Sequence, residues 1–273
     1  MEEASPVRRI RARGLLGWPL LAAVLLLGAA EAAARWHPHP AWSSAAVAAA
    51  YAAWGGWIVV SCRRHGVAAH RLGLRPPRER KAWRYLGLAA PLLVLSVGLI
   101  SLQIAIVSWL APELFRGYLD GAQTPAAAPS LLAGALDVLA VVILAPVVEE
   151  VAFRGAILAS WSRRRGHARA VLGTAALFAL LHPGDLVGTL VFGLVLAAIR
   201  LRTGTLWIPI ACHALYNGVI TLLSAGSGPS AAATAEQLRE AWWIGAACVA
   251  AAAPVLFFAL RQFARPARGL GKR

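Results

Sequence analysis

Apolar segments of about twenty residues recur along most of the chain, and they constrain its fold more than any other feature. A helix of about 20 residues crosses the roughly 30 Å hydrocarbon core of a bilayer, because each residue advances the helix by about 1.5 Å. Since 59% of the residues are hydrophobic and only 14% are charged, the chain is predicted to be an all-α, polytopic helical membrane protein. Its eight candidate transmembrane helices lie at about 14–34, 42–62, 85–111, 131–160, 171–183, 186–200, 205–225 and 241–260.

Three of these spans have unusual lengths. The fifth and sixth are short and are separated only by Pro183, Gly184 and Asp185. Because proline ends or kinks a helix, this break predicts either a tight helical hairpin near one membrane face or broken helices that line a cavity. The fourth span is long, and we expect it to tilt or to extend into the interface.

The formal net charge is +15, and most of the charged residues lie between the apolar segments. When the segments between the spans are assigned alternately to the two sides of the membrane, 23 of the 27 Lys and Arg residues lie on one side, which the positive-inside rule identifies as cytoplasmic. They lie in the amino terminus, 63–84, 161–170, 200–204 and the carboxyl tail. Both termini are therefore predicted to be cytoplasmic. Such basic loops contact anionic membrane lipids, so the charge indicates no nucleic acid partner. The Ala- and Arg-rich composition favours a prokaryotic cell membrane.

The start of the chain fits two kinds of segment. Arginines at positions 8, 9, 11 and 13 precede an apolar run that ends in EAAA, as in a signal peptide with a small-residue cleavage site. A retained membrane anchor is the favoured interpretation, because seven further spans follow it.

The fourth span contains three ionisable residues, Glu149, Glu150 and Arg154. A charged side chain at bilayer depth costs at least about 2.5–3.5 kcal/mol, so such residues indicate a functional site. Glu150 and Arg154 are four residues apart and lie on one helix face, where they can form an ion pair. Glu149 points about 100° away and is a candidate general base for water. The pattern also fits a purely structural ion pair that fixes helix packing and has no catalytic role.

Two further spans place polar residues four apart. Phe178 and His182 lie in FALLH, and His213 and Asn217 lie in HALYN. Each histidine alone also fits an ordinary hydrogen-bonded residue. If the three segments converge on one cavity within the bundle, Glu149 and His182 would activate a water, and His213 with Asn217 would stabilise the oxyanion of peptide hydrolysis. That combination of groups is typical of a peptidase.

These motifs resemble those of the CAAX prenyl protease and bacteriocin-processing (CPBP, or Abi) intramembrane peptidases, which read EExxxR, FxxxH and HxxxN. They occur here in the family's order as EEVAFR at 149–154, FALLH at 178–182 and HALYN at 213–217. The resemblance implies an intramembrane endopeptidase that hydrolyses a peptide bond of a membrane-associated protein or peptide. The sequence leaves open whether that substrate is prenylated.

The resemblance also implies a role for each site residue. It makes Glu149 and His182 the water-activating pair and His213 and Asn217 the oxyanion stabilisers. Glu150 and Arg154 support these four residues, and together the six are the predicted catalytic-site residues. It divides the chain into an amino-terminal region at 1–130, with three helices and the basic loop 63–84, a catalytic core at 131–225, and a final helix with a basic tail at 226–273.

Members of this family have been described both as metalloproteases and as glutamate-dependent proteases. A glutamate mechanism without a cofactor is favoured here, because the His-Glu-x-x-His spacing of many zinc peptidases is absent. In the alternative, Glu149, His182 and His213 would hold a zinc ion.

Two other classes of protein fit the same residues. Carboxylates, arginine and histidine in broken helices also serve proton-coupled transporters and channels, and Asp137 favours that alternative. Against it, no inverted repeat is apparent and the acidic residues concentrate in one helix. A non-catalytic, peptide-binding membrane protein is the second alternative.

Overall fold

The computed structural model describes residues 12–37, 39, 41–77, 79–113, 130–226 and 240–264. These residues are helical and include no strand, which confirms the predicted all-α fold. The helices are α1 (Ala12–Trp36), α2 (Ala41–Arg64), the short α3 (Ala69–Leu72), α4 (Ala89–Leu110), α5 (Leu131–Arg165), α6 (His167–Leu180), α7 (Leu186–Thr203), α8 (Trp207–Gly226) and α9 (Trp242–Ala264).

Six of the described helices are long and apolar enough to cross a membrane: α1, α2, α4 with the preceding 3-10 helix Arg80–Leu88, α5, α7 and α9. The shorter apolar helices α6 and α8 complete the set. Each of the eight predicted spans therefore coincides with a helix. The arginines at 8, 9 and 11, residues 114–129 and 227–239, and the residues after 264 lie outside the described part of the chain. The cytoplasmic location of the termini therefore stays a prediction.

Helix α5 lies at the centre of the bundle. It contacts α1, α2, α3, α6, α7 and α8, while α1 packs along α2, α4 along α9, and α6 along α7. Its residues Phe153, Ala156 and Ile157 are at most 1% exposed and belong to the main apolar core. Glu149, Glu150 and Arg154 of α5 are likewise at most 4% exposed, so they are surrounded by protein and not by lipid.

Helix α5 is also irregular. Two π-helical segments, Val138–Leu144 and Val151–Ile157, flank the α-helical turn Ala145–Glu150. Such π turns are uncommon and occur frequently at functional sites. Pro146 at the start of the α-helical turn has no backbone N–H, so one carbonyl of the preceding π segment loses its donor.

The break between α6 and α7 forms the predicted hairpin. The 3-10 turn Pro183–Asp185 joins the two helices, which pack against each other. The Asp185 carboxylate then accepts a hydrogen bond from the Gly188 backbone at 3.0 Å and caps the start of α7. His182 is thereby held at the end of α6, beside the turn.

The basic segment after α2 docks on the turn between α7 and α8. The Leu206 backbone donates to the Gly73 carbonyl at 2.8 Å, and Arg200 Nη2 donates to the Leu72 carbonyl at 3.0 Å. Gly73 has a φ of 99°, and a Cβ atom there would collide with the Arg200 guanidinium. A glycine is therefore required for this close approach.

Candidate active site

Four ionisable side chains from α5 and α8 are almost completely buried. The exposed fractions are 4% for Glu149, 0% for Glu150, 1% for Arg154 and 4% for His213. Buried charges are stable only when they are paired and hydrogen-bonded. The contacts among these four groups therefore determine the structure of the site.

Glu150 forms the centre of a hydrogen-bonded cluster. Its Oε1 atom accepts from Arg154 Nη1 at 2.7 Å, which is the ion pair expected from the four-residue spacing. The same oxygen lies 3.0 Å from His213 Nδ1. Because an ionised carboxylate can only accept, Nδ1 carries a hydrogen, and Nε2 is the nitrogen left to face Glu149.

The guanidinium of Arg154 is held by an aromatic ring as well. Its Cζ atom lies 4.5 Å from the centre of the Phe178 ring, in the geometry of a cation–π contact. Phe178 also contacts the rings of His182, at a centroid distance of 4.4 Å, and His213, at 6.1 Å. Phe178 therefore fixes the positions of three ionisable side chains.

Glu149 has different surroundings from Glu150. The Tyr51 hydroxyl on α2 donates to Glu149 Oε1 at 2.6 Å. The other oxygen, Oε2, lies 3.9 Å from His213 Nε2 and makes no hydrogen bond within the described part of the chain. One oxygen of Glu149 is thus fixed by Tyr51, and the other is buried without a hydrogen-bond partner among the described residues.

Tyr51 is the site residue that the sequence analysis missed. It stands alone in an Ala-rich span and belongs to none of the three motifs. A tyrosine in an apolar helix is also an ordinary packing residue, so no local pattern identifies its partner 98 positions away.

His182 is oriented by the end of its own helix. Its Nδ1 atom lies 2.8 Å from the Phe178 carbonyl oxygen. A carbonyl can only accept, so Nδ1 carries the hydrogen and the lone pair is on Nε2. The ring is half-buried, and its free nitrogen can accept a hydrogen bond from water.

A mainly apolar cavity of about 340 Å³ lies beside these groups. Tyr51, Glu149 and His182 are its polar lining residues, and the apolar lining comes from α1, α2, α5 and the end of α6. The cavity wall therefore includes two of the four groups that the sequence predicted to meet. His213 contacts Glu149 without lining this cavity, and Asn217 is not part of the wall either.

Asn217 is engaged by a backbone carbonyl. Its Nδ2 atom donates to the Val141 carbonyl oxygen at 2.8 Å. In the π segment the Ala145 N–H bonds the Ala140 carbonyl, five residues back. The next donor in that register would be residue 146, which is a proline, so the Val141 carbonyl has no helical donor and the Asn217 amide supplies one.

The alternative zinc ligands do not form a compact set. Among the described residues, no three His, Cys, Asp or Glu side chains are placed to hold a metal ion together. Glu149 and His213 are near each other, whereas the His182 ring packs against the Phe178 ring at a centroid distance of 4.4 Å. The arrangement therefore does not fit a preformed zinc site.

Comparison with known proteins identifies the central helices. Residues 130–219 match the family model described as type II CAAX prenyl endopeptidase Rce1-like. The matched segment contains all three motifs and excludes α1, α2 and Tyr51. Comparisons with curated proteins and with solved structures gave no significant match. Residues 130–219 of this helical membrane protein therefore form an Rce1-like domain of the CPBP family of intramembrane proteases.

Proposed function

We propose that this protein is an intramembrane endopeptidase that hydrolyses a peptide bond of a membrane-associated protein or peptide, with Glu149 as the base that activates water. One observation carries the proposal. Glu149 is buried beside an apolar cavity with one oxygen held by Tyr51 and the other directed toward an imidazole nitrogen. A carboxylate so placed can accept a proton in a site from which bulk water is largely excluded.

The proposed reaction begins with a water bound beside Glu149 and His182. Glu149 Oε2 accepts one proton of that water while the water oxygen attacks the carbonyl carbon of the peptide. The proton then passes from Glu149 to the leaving amine as the C–N bond breaks, which gives a carboxylic acid and an amine. The lone pair on His182 Nε2 supports this step by accepting the second O–H of the water.

Stabilisation of the oxyanion is assigned to His213 and Asn217. Because Nδ1–H of His213 is directed to Glu150, the ring can donate to the oxyanion only when Nε2 carries a hydrogen as well. Asn217 keeps a second amide hydrogen beyond the one given to the Val141 carbonyl. Glu150 and Arg154 hold the cluster together.

The proposed catalytic core is 131–225, with 1–130 and 226–273 around it and both termini in the cytoplasm of a prokaryotic cell. No cofactor is required in this glutamate mechanism. The apolar wall of the cavity favours an apolar ligand. Because the matched family acts on CAAX prenyl proteins, a prenylated carboxyl-terminal peptide should be tested beside an unmodified membrane peptide.

The test is cleavage of such peptides by the purified protein in detergent, with products identified by mass spectrometry. We expect the wild type to cleave, and Glu149→Gln, His182→Ala and His213→Ala to be slower by about 100-fold or more, with the folded state of each variant checked by thermal unfolding. Metal analysis and treatment with a chelator accompany the assay. Loss of activity on chelation that added zinc restores would overturn the cofactor-free mechanism, and wild-type rates in Glu149→Gln would overturn the proposal itself.

A further inference from the structure

A short polar contact between the amino-terminal helices and the Rce1-like domain is made by one hydroxyl group. The Tyr51 hydroxyl on α2 donates to Glu149 Oε1 on α5 at 2.6 Å. A hydrogen bond to an ionised carboxylate is shorter and stronger than one between neutral groups. Both side chains line the same cavity.

This hydrogen bond distinguishes the two oxygens of Glu149. Oε1 is occupied by Tyr51, whereas Oε2 lies 3.9 Å from His213 Nε2 without a hydrogen bond in the described part of the chain. The terminal torsion of a glutamate side chain is broad and nearly two-fold, so the carboxylate plane needs an external contact to fix it. Tyr51 supplies that contact.

Tyr51 is itself held in place. Its ring stacks on Trp54 at a centroid distance of 6.1 Å, and Trp54 packs edge-on against Phe153 of α5 at 6.3 Å. Trp54 Nε1 also donates to the Leu15 carbonyl of α1 at 3.0 Å. The hydroxyl is therefore presented by a rigid junction of three helices, two of which lie outside the matched segment.

We propose that Tyr51 is a positioning residue for Glu149, which orients the carboxylate so that Oε2 accepts the proton of the attacking water. This inference rests on the function proposed above for Glu149. It assigns α2 a part in catalysis that acts through Glu149 and that the three motifs do not show.

The test compares kcat and KM of the wild type and Tyr51→Phe, which removes one oxygen and keeps the ring contact with Trp54. We expect kcat to fall about 10- to 100-fold, which corresponds to the loss of one charge-assisted hydrogen bond, and KM to change less than about two-fold. Tyr85→Phe is the matched control, because Tyr85 lies in the 3-10 helix before α4, does not line this cavity, and should leave kcat unchanged.

A second background tests whether Tyr51 acts through Glu149. In Glu149→Asp the carboxylate is one methylene shorter, so we expect Tyr51→Phe to reduce kcat less than about three-fold there. Incorporation of 3-fluorotyrosine at position 51 retains the ring and hydroxyl and should retain most of the activity, which separates the hydroxyl from any effect on folding.

Each contrary result has a distinct meaning. If Tyr51→Phe has the wild-type kcat while Glu149→Gln is inactive, the positioning role is wrong and the proposed function stands. A raised KM with unchanged kcat, or an equal loss in both backgrounds, would also contradict positioning. If Glu149→Gln is fully active, the proposed function itself is wrong.

Discussion

His213 and Glu150 meet across the bundle, with His213 Nδ1 on α8 lying 3.0 Å from Glu150 Oε1 on α5. This contact fixes the tautomer of the imidazole and directs Nε2 toward Glu149, whose Oε2 lies 3.9 Å away. The two adjacent glutamates therefore have different contacts. Glu150 joins Arg154 and His213, while Glu149 faces Tyr51 and the cavity.

Removal of Arg154 should damage the fold as well as the activity. Arg154→Ala leaves the carboxylate of Glu150 buried with its strongest partner gone, and breaking a buried ion pair costs about 3–5 kcal/mol. We expect a large drop in unfolding temperature and in the yield of folded protein. Arg163→Ala, at an exposed position near the end of the same helix, is the control and should behave as the wild type. Wild-type unfolding of Arg154→Ala would show that the pair contributes little.

Asn217 should contribute to stability through the Val141 carbonyl. Asn217→Ala leaves that carbonyl without its side-chain donor, at a cost of about 1–3 kcal/mol. In a Pro146→Ala background a backbone N–H returns five residues after Val141, so the same substitution should cost clearly less. Thermal unfolding of the wild type, the two single variants and the double variant measures this difference. Equal costs in both backgrounds would mean that Pro146 does not create the need for Asn217.

In α1, too, a side chain should supply the hydrogen-bond donor that a proline removes. Pro19 has no N–H to donate to the Leu15 carbonyl, and Trp54 Nε1 donates to it at 3.0 Å instead. Trp54→Phe should therefore lower stability by about 1–2 kcal/mol, and by less when Pro19→Ala restores the helical donor. Unfolding in detergent gives both values. An identical loss with and without Pro19 would assign the effect of Trp54 to packing alone.

Gly73 should tolerate substitution less well than Gly66. Both have positive φ, 99° and 64°, but a Cβ atom at Gly73 would collide with the Arg200 guanidinium whereas nothing lies within 4 Å at Gly66. Gly66→Ala should cost about 1 kcal/mol from the backbone alone. Gly73→Ala should cost more, because Arg200 must also leave the Leu72 carbonyl. Equal losses of stability would contradict the close approach of this segment to α7.

Much of the architecture follows from local sequence. The eight apolar segments predict the helices because their length is set by the thickness of the bilayer, and the Glu150–Arg154 pair follows from the helical repeat alone. The break at 183–185 could be recognised because proline and glycine act on their own backbone. Each of these features depends on neighbouring residues.

The remaining features depend on contacts between distant segments. The pairing of Tyr51 with Glu149 and of Asn217 with Val141 joins residues 98 and 76 positions apart. The π segments of α5 have no periodicity that differs from that of an ordinary apolar helix over so few residues. The position of His213 behind Glu149, outside the cavity wall, likewise depends on how α8 packs against α5.

The most direct test of the account is the cleavage rate of Glu149→Gln measured against Glu79→Gln, in which the same substitution is made at an exposed carboxylate paired with Lys81. Both changes preserve side-chain volume and remove one charge. The account predicts that Glu149→Gln loses activity by about 100- to 10,000-fold while Glu79→Gln cleaves at the wild-type rate. Equal rates in the two proteins, with both folded, would contradict the assignment of Glu149 as the catalytic base.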